Sequence, residues 1–285
     1  MAGYIKRGSA RAVTFEAAGL RELAGAVNNG GVRVARLLRV AETELETEYI
    51  RSGTATLAAA RDFGAALART HAYTPTGVRI FGQAPAGFVP ADRTGQDRAQ
   101  SEQTRPLGFM GAADLPLVSP PDTRTPDLDT RGFGEFYAED RLLPYLPEAL
   151  HNGSIDTAGA QLIERLCQRL RDGVFDAPQP ALVQTQAALL HGDLWSGNVI
   201  WSPTSAVLID PAAQGGHAES DLAQLTVFGV PHVEAIYAAY NEASPLAEGW
   251  RERVGLHTLH MLIVHAALFS GGYGHATVNT AQQYL

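Results

Sequence analysis

The feature that most constrains this chain is residues 191–198, with the sequence HGDLWSGN, in the second half of the protein. Short apolar runs at 187–191 and 206–210 frame it, and each ends in polar residues, which predicts two strands joined by a loop. Asp193 and Asn198 lie five positions apart, and Asp210 follows twelve positions later. Carboxylate and amide oxygens are the ligands that Mg²⁺ prefers. One ion can contact both later residues only if the loop returns near its start, so we expect a fold that brings these strand ends together.

Phosphoryl transfer explains why these residue types occur at this spacing. The reaction needs a carboxylate to accept the proton of the attacking hydroxyl and oxygen ligands for Mg²⁺, which is the arrangement in the catalytic loop of protein kinases. Taken singly, Asp193 would more often be a turn residue. The combination of Asp193, Asn198 and Asp210 between apolar runs instead favours a catalytic loop.

Composition excludes several other classes of protein. The chain has 285 residues, 45% of them hydrophobic, which is enough for a sizeable core, and its net charge is −8. A nucleic-acid partner is not expected, because duplex-binding proteins carry a basic stripe. A membrane partner is not expected either, because the longest apolar runs are too short to span a bilayer. With one cysteine, Cys167, and no signal-peptide segment in residues 1–10, we predict a cytoplasmic protein.

The remaining patterns predict a small β-rich part followed by a mainly helical part. Strands are predicted at 32–40 and 45–50, after a helix that Thr14 caps. Residues 74–130 are rich in Pro, Gly, Asp, Gln and Ser and are expected to be an insertion with short elements or a region near a site. Pro144 is expected to kink or split its helix. Helices are predicted at 14–26, 56–73, 133–150 and 157–171. Residues 220–269 are predicted to form three more helices, with breaks at Pro231 and at 245–249.

The motif resembles the aminoglycoside phosphotransferase and choline kinase superfamily, whose members are relatives of protein kinases. The continuation LWSGN at 194–198 is similar to the fructosamine kinase (ketosamine 3-kinase) family in particular, as are DPA at 210–212 and DLA at 221–223. The resemblance runs from residue 4 to about residue 275 and is weakest at 74–130. It implies an α+β, two-lobed protein-kinase-like fold, with a partial N-terminal lobe at 1–51 and a C-terminal lobe at 52–285.

The same resemblance implies ATP-dependent phosphorylation of the 3-hydroxyl of a ketosamine, such as fructosamine or another glycated amine, with Mg²⁺ as cofactor. By match of motif, Asp193 is the base, and Asn198 and Asp210 are the metal ligands. Trp195 is expected to line the sugar side. His217 is also predicted to lie on the substrate side, with bracing of the loop through hydrogen bonds as the alternative role.

Position along the chain assigns the nucleotide-binding residues. Lys6, the only lysine, ends a short apolar run, and Glu16 lies on the helix that follows. Kinases hold the α- and β-phosphates with a strand lysine that a helix glutamate orients, so we predict these roles here. The backbone of Glu48, Tyr49 and Ile50, at the expected hinge, would bond adenine.

Three alternatives stay open at this point. The chain could phosphorylate another hydroxylated metabolite, as aminoglycoside and choline kinases do. It could be a non-catalytic binding protein, because the family's glycine-rich turn before the lysine strand is absent from the five residues that precede Lys6. A serine hydrolase using Ser196 with His191 is a weaker alternative, because no G-x-S-x-G elbow surrounds Ser196. We interpret His257, His260 and His265 as packed or surface residues, because no metal motif matches them.

Overall fold

The computed structural model describes residues 3–88, 105–119, 131–202 and 205–285 of the chain. It is a mixed α/β structure with a small sheet region and a larger helical part. The described strands are β1 (Gly3–Arg7), β2 (Arg33–Val34), β3 (Leu37–Val40), β4 (Glu44–Glu48), β5 (Leu107–Met110), β6 (Ala113–Pro116), β7 (Ala188–Leu190), β8 (Val199–Trp201), β9 (Ala206–Leu208) and β10 (Gln214–Gly216). The described α-helices are α1 (Ala10–Val27), α2 (Leu57–His71), α3 (Phe133–Phe136), α4 (Leu146–His151), α5 (Thr157–Arg171), α6 (Ala218–Val227), α7 (Val233–Ala243), α8 (Trp250–Phe269) and α9 (Gly272–Gln282).

The N-terminal sheet is antiparallel, with strand order β1-β4-β3, and α1 packs against it. The prediction that α1 begins at Thr14 is wrong by one turn. Ser9 caps the helix, because its Oγ accepts a hydrogen bond from the Ala12 backbone N–H at 3.2 Å. Thr14 lies inside the helix, where its hydroxyl donates to the Ala10 carbonyl.

The predicted strand at 32–40 is two strands in different sheets. Arg33 and Val34 form β2, which pairs in parallel with β9 of the later part of the chain, whereas β3 pairs with β4. Strand β9 also pairs with β8, inside the segment that we predicted to be only a loop. One strand of the N-terminal segment, β2, therefore shares a sheet with the segment that follows the catalytic motif.

The helical predictions hold in outline. Helices α2 and α5 lie where the periodicity placed them, and α6, α7 and α8 are the three predicted pieces of 220–269. The helix predicted at 133–150 is split into α3, a π-helical turn (Tyr137–Leu142), a 3₁₀ turn (Leu143–Tyr145) and α4, because Pro144 has no N–H to donate. Strands β5 and β6 form a hairpin within 74–130, and residues 89–104 and 120–130 of that stretch lie outside the described residues.

Two large apolar clusters hold the elements together. One joins α1 and α2 with α7 and the β8–β9 pair, and the other joins α3, α4 and α5 with α8 and α9. Cys167 is buried in the second cluster, where burial raises the pKa of its thiol to about 12. Among the described helices, none has both the length and the apolar character needed to cross a bilayer.

Candidate active site

Strand pairing brings the two halves of the motif together. Strand β7 delivers the chain to the 191–198 loop, which closes in a 3₁₀ turn, Ser196–Asn198, directly before β8. Because β8 and β9 are antiparallel with Val199 opposite Leu208, Asn198 immediately before β8 lies beside the residues immediately after β9. The Ile209 N–H donates to the Asn198 carbonyl at 3.1 Å, so Asn198 and Asp210 meet at one end of this pair.

The side chains of Asp193 and Asn198 are bonded to each other. Asn198 Nδ2 donates to the Asp193 carboxylate oxygen Oδ2 at 3.0 Å and to the Asp193 backbone carbonyl at 2.8 Å. These bonds use the amide nitrogen of Asn198 and leave its amide oxygen for a cation. Burial raises the pKa of Asp193 above its usual range, which makes the carboxylate a better proton acceptor.

Lys6 connects the N-terminal sheet to the motif. Its Nζ lies 2.8 Å from Glu16 Oε2 and 3.1 Å from Asp210 Oδ1, so β1, α1 and the segment after β9 converge on one ammonium group. Burial alone would lower the pKa of Lys6, but the two carboxylates raise it overall. The ammonium is therefore held in its charged form between Glu16, predicted to orient it, and Asp210, predicted to be a metal ligand.

Asp210 adopts a backbone conformation that is uncommon for a residue with a side chain. Its φ of +53° lies in the left-handed region, which costs a non-glycine residue on the order of 1 kcal/mol or more. Pro211 follows directly, and the Asp210 side chain remains partly exposed at 39%. In this turn the Asp210 carboxylate lies within 3.1 Å of Lys6 Nζ.

Asp221 on α6 anchors the backbone of the loop. Its carboxylate accepts the His191 N–H at 2.7 Å and the Gly192 N–H at 3.0 Å, and His71 Nε2 lies 3.2 Å away. The His191 ring is also committed to backbone atoms, because Nε2 lies 2.8 Å from the Ile209 carbonyl and Nδ1 accepts from the Asp193 N–H. Both ring nitrogens are used, which argues against His191 as the base of a serine hydrolase.

A cavity of about 420 Å³ opens beside Asp193. Half of the residues that line it carry aromatic rings, among them Trp195, Phe228, His265 and Tyr273. The Trp195 ring packs edge-on against Phe228 with centroids 5.4 Å apart. The structure therefore puts Trp195 and Asp193 in one cavity, the arrangement expected if Trp195 contacts the acceptor.

The hinge segment lies at the exit of the N-terminal sheet. Glu48 ends β4, and its N–H donates to the Arg36 carbonyl at 2.9 Å. Tyr49 is 61% exposed, whereas Ile50 is buried in a small cluster with Ala35 and Val207. These three residues link the sheet to α2, and their side chains point to no particular ligand.

His217 lies apart from the acceptor cavity and is 1% exposed. It caps α6, with Nδ1 accepting from the Glu219 N–H at 3.3 Å and Nε2 3.2 Å from the Ala177 carbonyl. Glu219 receives two hydrogen bonds from Arg253, and Nδ1 of His257 lies 2.9 Å from Ser220 Oγ. Ligand atoms of His217, Glu219 and His257 lie within 4.8 Å of one another. These hydrogen bonds favour a braced core over a metal site, and we leave His217 out of the proposed substrate site.

This histidine predicts how stability depends on pH. Burial, with the nearby His257 second, lowers the pKa of His217 from 6.5 to about 4. Between these values the unfolded chain binds a proton that the folded protein excludes, so stability falls as the pH falls from 6.5 to 4. The loss from this residue is on the order of 3 kcal/mol. Below pH 4.5 Glu219, whose pKa is lowered to about 2, adds a loss of the same sign.

The measurement is calorimetric Tm between pH 7 and pH 4 for the parent and for His217→Asn. Asparagine keeps an acceptor at the helix N-cap but does not titrate, so the variant should lose less Tm over this range. Equal slopes for the two proteins would contradict the pKa assigned to His217.

Sequence reasoning gave no site role to several residues that structure brings to the site. His265 and Tyr273 come from α8 and α9, and Phe228 from the end of α6, so only the tertiary fold places them around Asp193. Strand β8, which aligns Asn198 with the segment after β9, was not predicted, because it is only three residues long and has polar residues on both sides. No local pattern in the sequence signals these contacts.

Comparison with known proteins gives matches across the fold. The sequence profile described as Fructosamine kinase matches residues 122–285, more than half of the chain. A "Probable ketoamine kinase" of Klebsiella aerogenes is 37% identical over 170 residues, which are 57% of this chain and 52% of that protein. The chain spans about half the length of the curated relatives it matches.

Solved structures extend the likeness to nearly the whole chain. A crystal structure provisionally assigned as a fructosamine-3-kinase of Thermobifida fusca superposes with a TM-score of 0.78 and 32% identity, covering 99% of this chain and 85% of that one. An ADP-bound aminoglycoside phosphotransferase superposes with a TM-score of 0.57 at 13% identity, covering 99% of this chain and 88% of that one, which shows the fold alone. The predicted α+β protein-kinase-like fold is confirmed, and the chain belongs to the fructosamine kinase family.

Proposed function

We propose that this protein transfers the γ-phosphoryl group of ATP to the 3-hydroxyl of a ketosamine, a glycated amine of which fructosamine is the simplest example. The observation that carries the proposal is the convergence of Lys6, Glu16 and Asp210 beside the bonded pair Asp193 and Asn198. A phosphoryl-transfer site needs a proton acceptor, oxygen ligands for a cation and a positive charge for the phosphates. All three lie at the junction of the N-terminal sheet and the loop after β7.

Asp193 takes the proton of the attacking hydroxyl in this proposal. Its raised pKa and its position in the wall of the cavity suit a base that meets an acceptor from the solvent side. Asn198 Nδ2 donates to Oδ2 of the carboxylate, so the proton would be taken up at the other oxygen, Oδ1.

The residues present fit a magnesium ion. The Asn198 amide oxygen and the Asp210 carboxylate are hard oxygen donors, and Mg²⁺ usually binds to one or two such protein ligands together with phosphate oxygens and water. When bound, the ion neutralises charge on the transferred phosphoryl group. Lys6, oriented by Glu16, would contact the α- and β-phosphates, and the backbone of Glu48, Tyr49 and Ile50 would bond adenine.

We assign nucleotide binding to residues 1–51 and the catalytic loop, metal ligands and acceptor cavity to residues 52–285. The acceptor enters the cavity lined by Trp195, where an apolar ring face suits the carbon face of a sugar. We also retain the prediction of a cytoplasmic location, where small glycated amines and MgATP meet.

The experiment that tests the function is ADP release with MgATP and a panel of acceptors that includes ketosamines, an aminoglycoside and choline. Turnover of a ketosamine with phosphate on its 3-hydroxyl, located by NMR, would support the proposal. Turnover of only the aminoglycoside or choline would show that the acceptor is not a ketosamine but a compound of that other class. ATP binding without turnover of any acceptor would favour a non-catalytic binding protein.

Gly197 gives a test of the acceptor side alone. A Cβ at this position would overlap the six-membered ring of Trp195, which lies over the Gly197 Cα. The Gly197→Ala variant should therefore push the indole into the cavity and raise KM for the ketosamine, by about tenfold for roughly 1.4 kcal/mol of lost contact. Ser196→Ala, one position earlier, is the matched control.

Initial-rate kinetics with each substrate varied in turn make the measurement. KM for ATP should stay at the parental value in Gly197→Ala, because the overlap is with Trp195 and not with the Lys6 cluster. An unchanged KM for the ketosamine would show that Trp195 does not contact the acceptor.

A further inference from the structure

Gln224, a buried glutamine of α6, bonds to the catalytic loop on both sides of Asp193. Its Oε1 accepts the Leu194 N–H at 2.6 Å, and its Nε2 donates to the Gly192 carbonyl at 3.1 Å. The side chain is 2% exposed. One primary amide thus satisfies the donor that follows Asp193 and the acceptor that precedes it.

The chemistry of these partners fixes the orientation of the amide. At this contact Leu194 presents its N–H and Gly192 its carbonyl oxygen, so rotating the Gln224 amide by half a turn would set two donors together and two acceptors together. The planar amide therefore bonds to the loop backbone as a peptide group of a neighbouring β-strand would, with one donated and one accepted hydrogen bond. Only a side chain that has a donor and an acceptor at the same end can do this.

Gln224 completes a clamp that Asp221 begins. The two residues are three positions apart on α6 and so lie on one face of the helix. Asp221 holds the N–H groups of His191 and Gly192, and Gln224 holds the Gly192 carbonyl and the Leu194 N–H. Without the bond to Leu194, this clamp would hold the backbone only on the N-terminal side of Asp193.

The rest of α6 makes this face rigid. His71 lies between Asp221 and Tyr240, with its Nδ1 2.8 Å from the Tyr240 hydroxyl. Helix α6 is consequently tied to α2 and α7, and a side chain fixed on it can fix the loop.

We propose that Gln224 is a positioning residue for the proposed phosphoryl transfer, which sets the backbone on either side of Asp193 and thereby the direction of its carboxylate. This inference rests on the proposed function for its kinetic consequence, although the hydrogen bonds themselves do not. Gln224 touches neither nucleotide nor acceptor, so it acts through Asp193. A displacement of the base by about 1 Å can cost a factor of about 100 in rate.

The test compares Gln224→Met with Gln224→Glu. Methionine has a similar length and no hydrogen-bonding amide, so the Leu194 N–H loses its acceptor and the Gly192 carbonyl its donor. A glutamate carboxylate still accepts from Leu194 but opposes the Gly192 carbonyl. Tyr237→Phe is the matched control, because it removes a buried hydrogen bond from the Tyr237 hydroxyl of α7 to the Leu222 carbonyl of α6 (2.9 Å), which does not reach the loop.

We expect kcat to fall about 10- to 100-fold in Gln224→Met, with KM for ATP and for the ketosamine at parental values. Amide hydrogen exchange should accelerate at Leu194 in this variant, while His191 and Gly192, held by Asp221, stay protected. Gln224→Glu should lower kcat and keep the Leu194 amide protected. Tyr237→Phe should keep kcat even though its Tm falls.

Parental kcat in both Gln224 variants would overturn the inference, and so would a Leu194 amide that stays protected in Gln224→Met. A fall in kcat that Tyr237→Phe shares at equal loss of Tm would reduce Gln224 to a stabilising residue and overturn it as well. If the parent turns over no acceptor, the proposed function fails, and the exchange experiment still decides whether Gln224 holds the loop.

Discussion

The Asp193→Asn variant is expected to lose about 10²- to 10⁴-fold in kcat for phosphorylation of a ketosamine, the range typical of a lost general base. Asparagine has the same size as aspartate, and its amide oxygen can still accept the hydrogen bond from Asn198 Nδ2. What it cannot do is take up the proton of the attacking hydroxyl. The fold, the loop and the bond to Asn198 should survive, so the loss falls on the chemical step.

The kinetics should separate this loss from a loss of binding. KM for ATP should change little in Asp193→Asn, because Lys6 and Glu16 remain in place. In the parent, the raised pKa of Asp193 predicts that kcat declines on acidification as the carboxylate takes up a proton. The variant should lack this acid limb in its residual rate.

Asp172→Asn is the matched control, because it makes the same chemical change at the C-terminal cap of α5, where the carboxylate accepts a hydrogen bond from Gln168 Nε2 at 3.0 Å. It should keep the parental kcat. If Asp193→Asn retained more than about a tenth of the parental kcat, Asp193 would not be the general base.

The motif was readable because its residues are close in sequence as well as in space. Asp193 and Asn198 share one loop, and the 3₁₀ turn at Ser196–Asn198 folds them onto each other. Apolar runs at 187–191 and 206–210 predicted β7 and β9, although β8 between them was not predicted. Local spacing therefore carried most of the information about the catalytic centre.

The remaining contacts depend on segments that the sequence keeps far apart. Leu194 and Gln224 are 30 positions apart, and nothing in the pattern of α6 distinguishes a glutamine that bonds to the loop from one that faces solvent. The division of residues 32–40 into β2 and β3 likewise depends on where β9 lies. These contacts and strand boundaries depend on pairing between distant segments. The periodicity of apolar residues, two for a strand and 3.6 for a helix, carries no information about that pairing.

The second large expected effect is the loss of ATP use when Lys6 is replaced. Lys6 is the only lysine among 22 basic residues. Its compact ammonium fits between Glu16 Oε2 at 2.8 Å and Asp210 Oδ1 at 3.1 Å. A guanidinium is planar and bulkier and carries its charge farther from the backbone, so the Lys6→Arg variant keeps the charge but not the contact geometry. We expect kcat/KM for ATP to fall about 10²- to 10³-fold, as when one preorganised donor is lost from a charged transition state.

Arg7→Lys is the matched control on the same strand. Arg7 is the next residue of β1, its side chain is 80% exposed, and it pairs with Glu44 away from the motif. This change should leave kcat/KM for ATP at the parental value. Thermal unfolding of Lys6→Arg should stay close to that of the parent, because the partly exposed Lys6 keeps a positive charge beside Glu16.

The single lysine also allows a measurement that does not depend on turnover. An amine-reactive acylating reagent can modify only one side chain of this protein, and peptide mass spectrometry separates Lys6 from the terminal amine. If Lys6 contacts the phosphates, MgATP should slow its acylation, and it should do so in Asp193→Asn as well, because that variant keeps the nucleotide site. Unchanged acylation of Lys6 with saturating MgATP, or parental kcat/KM in Lys6→Arg, would show that β1 does not supply the phosphate-binding lysine and that residues 1–51 hold the nucleotide in another way.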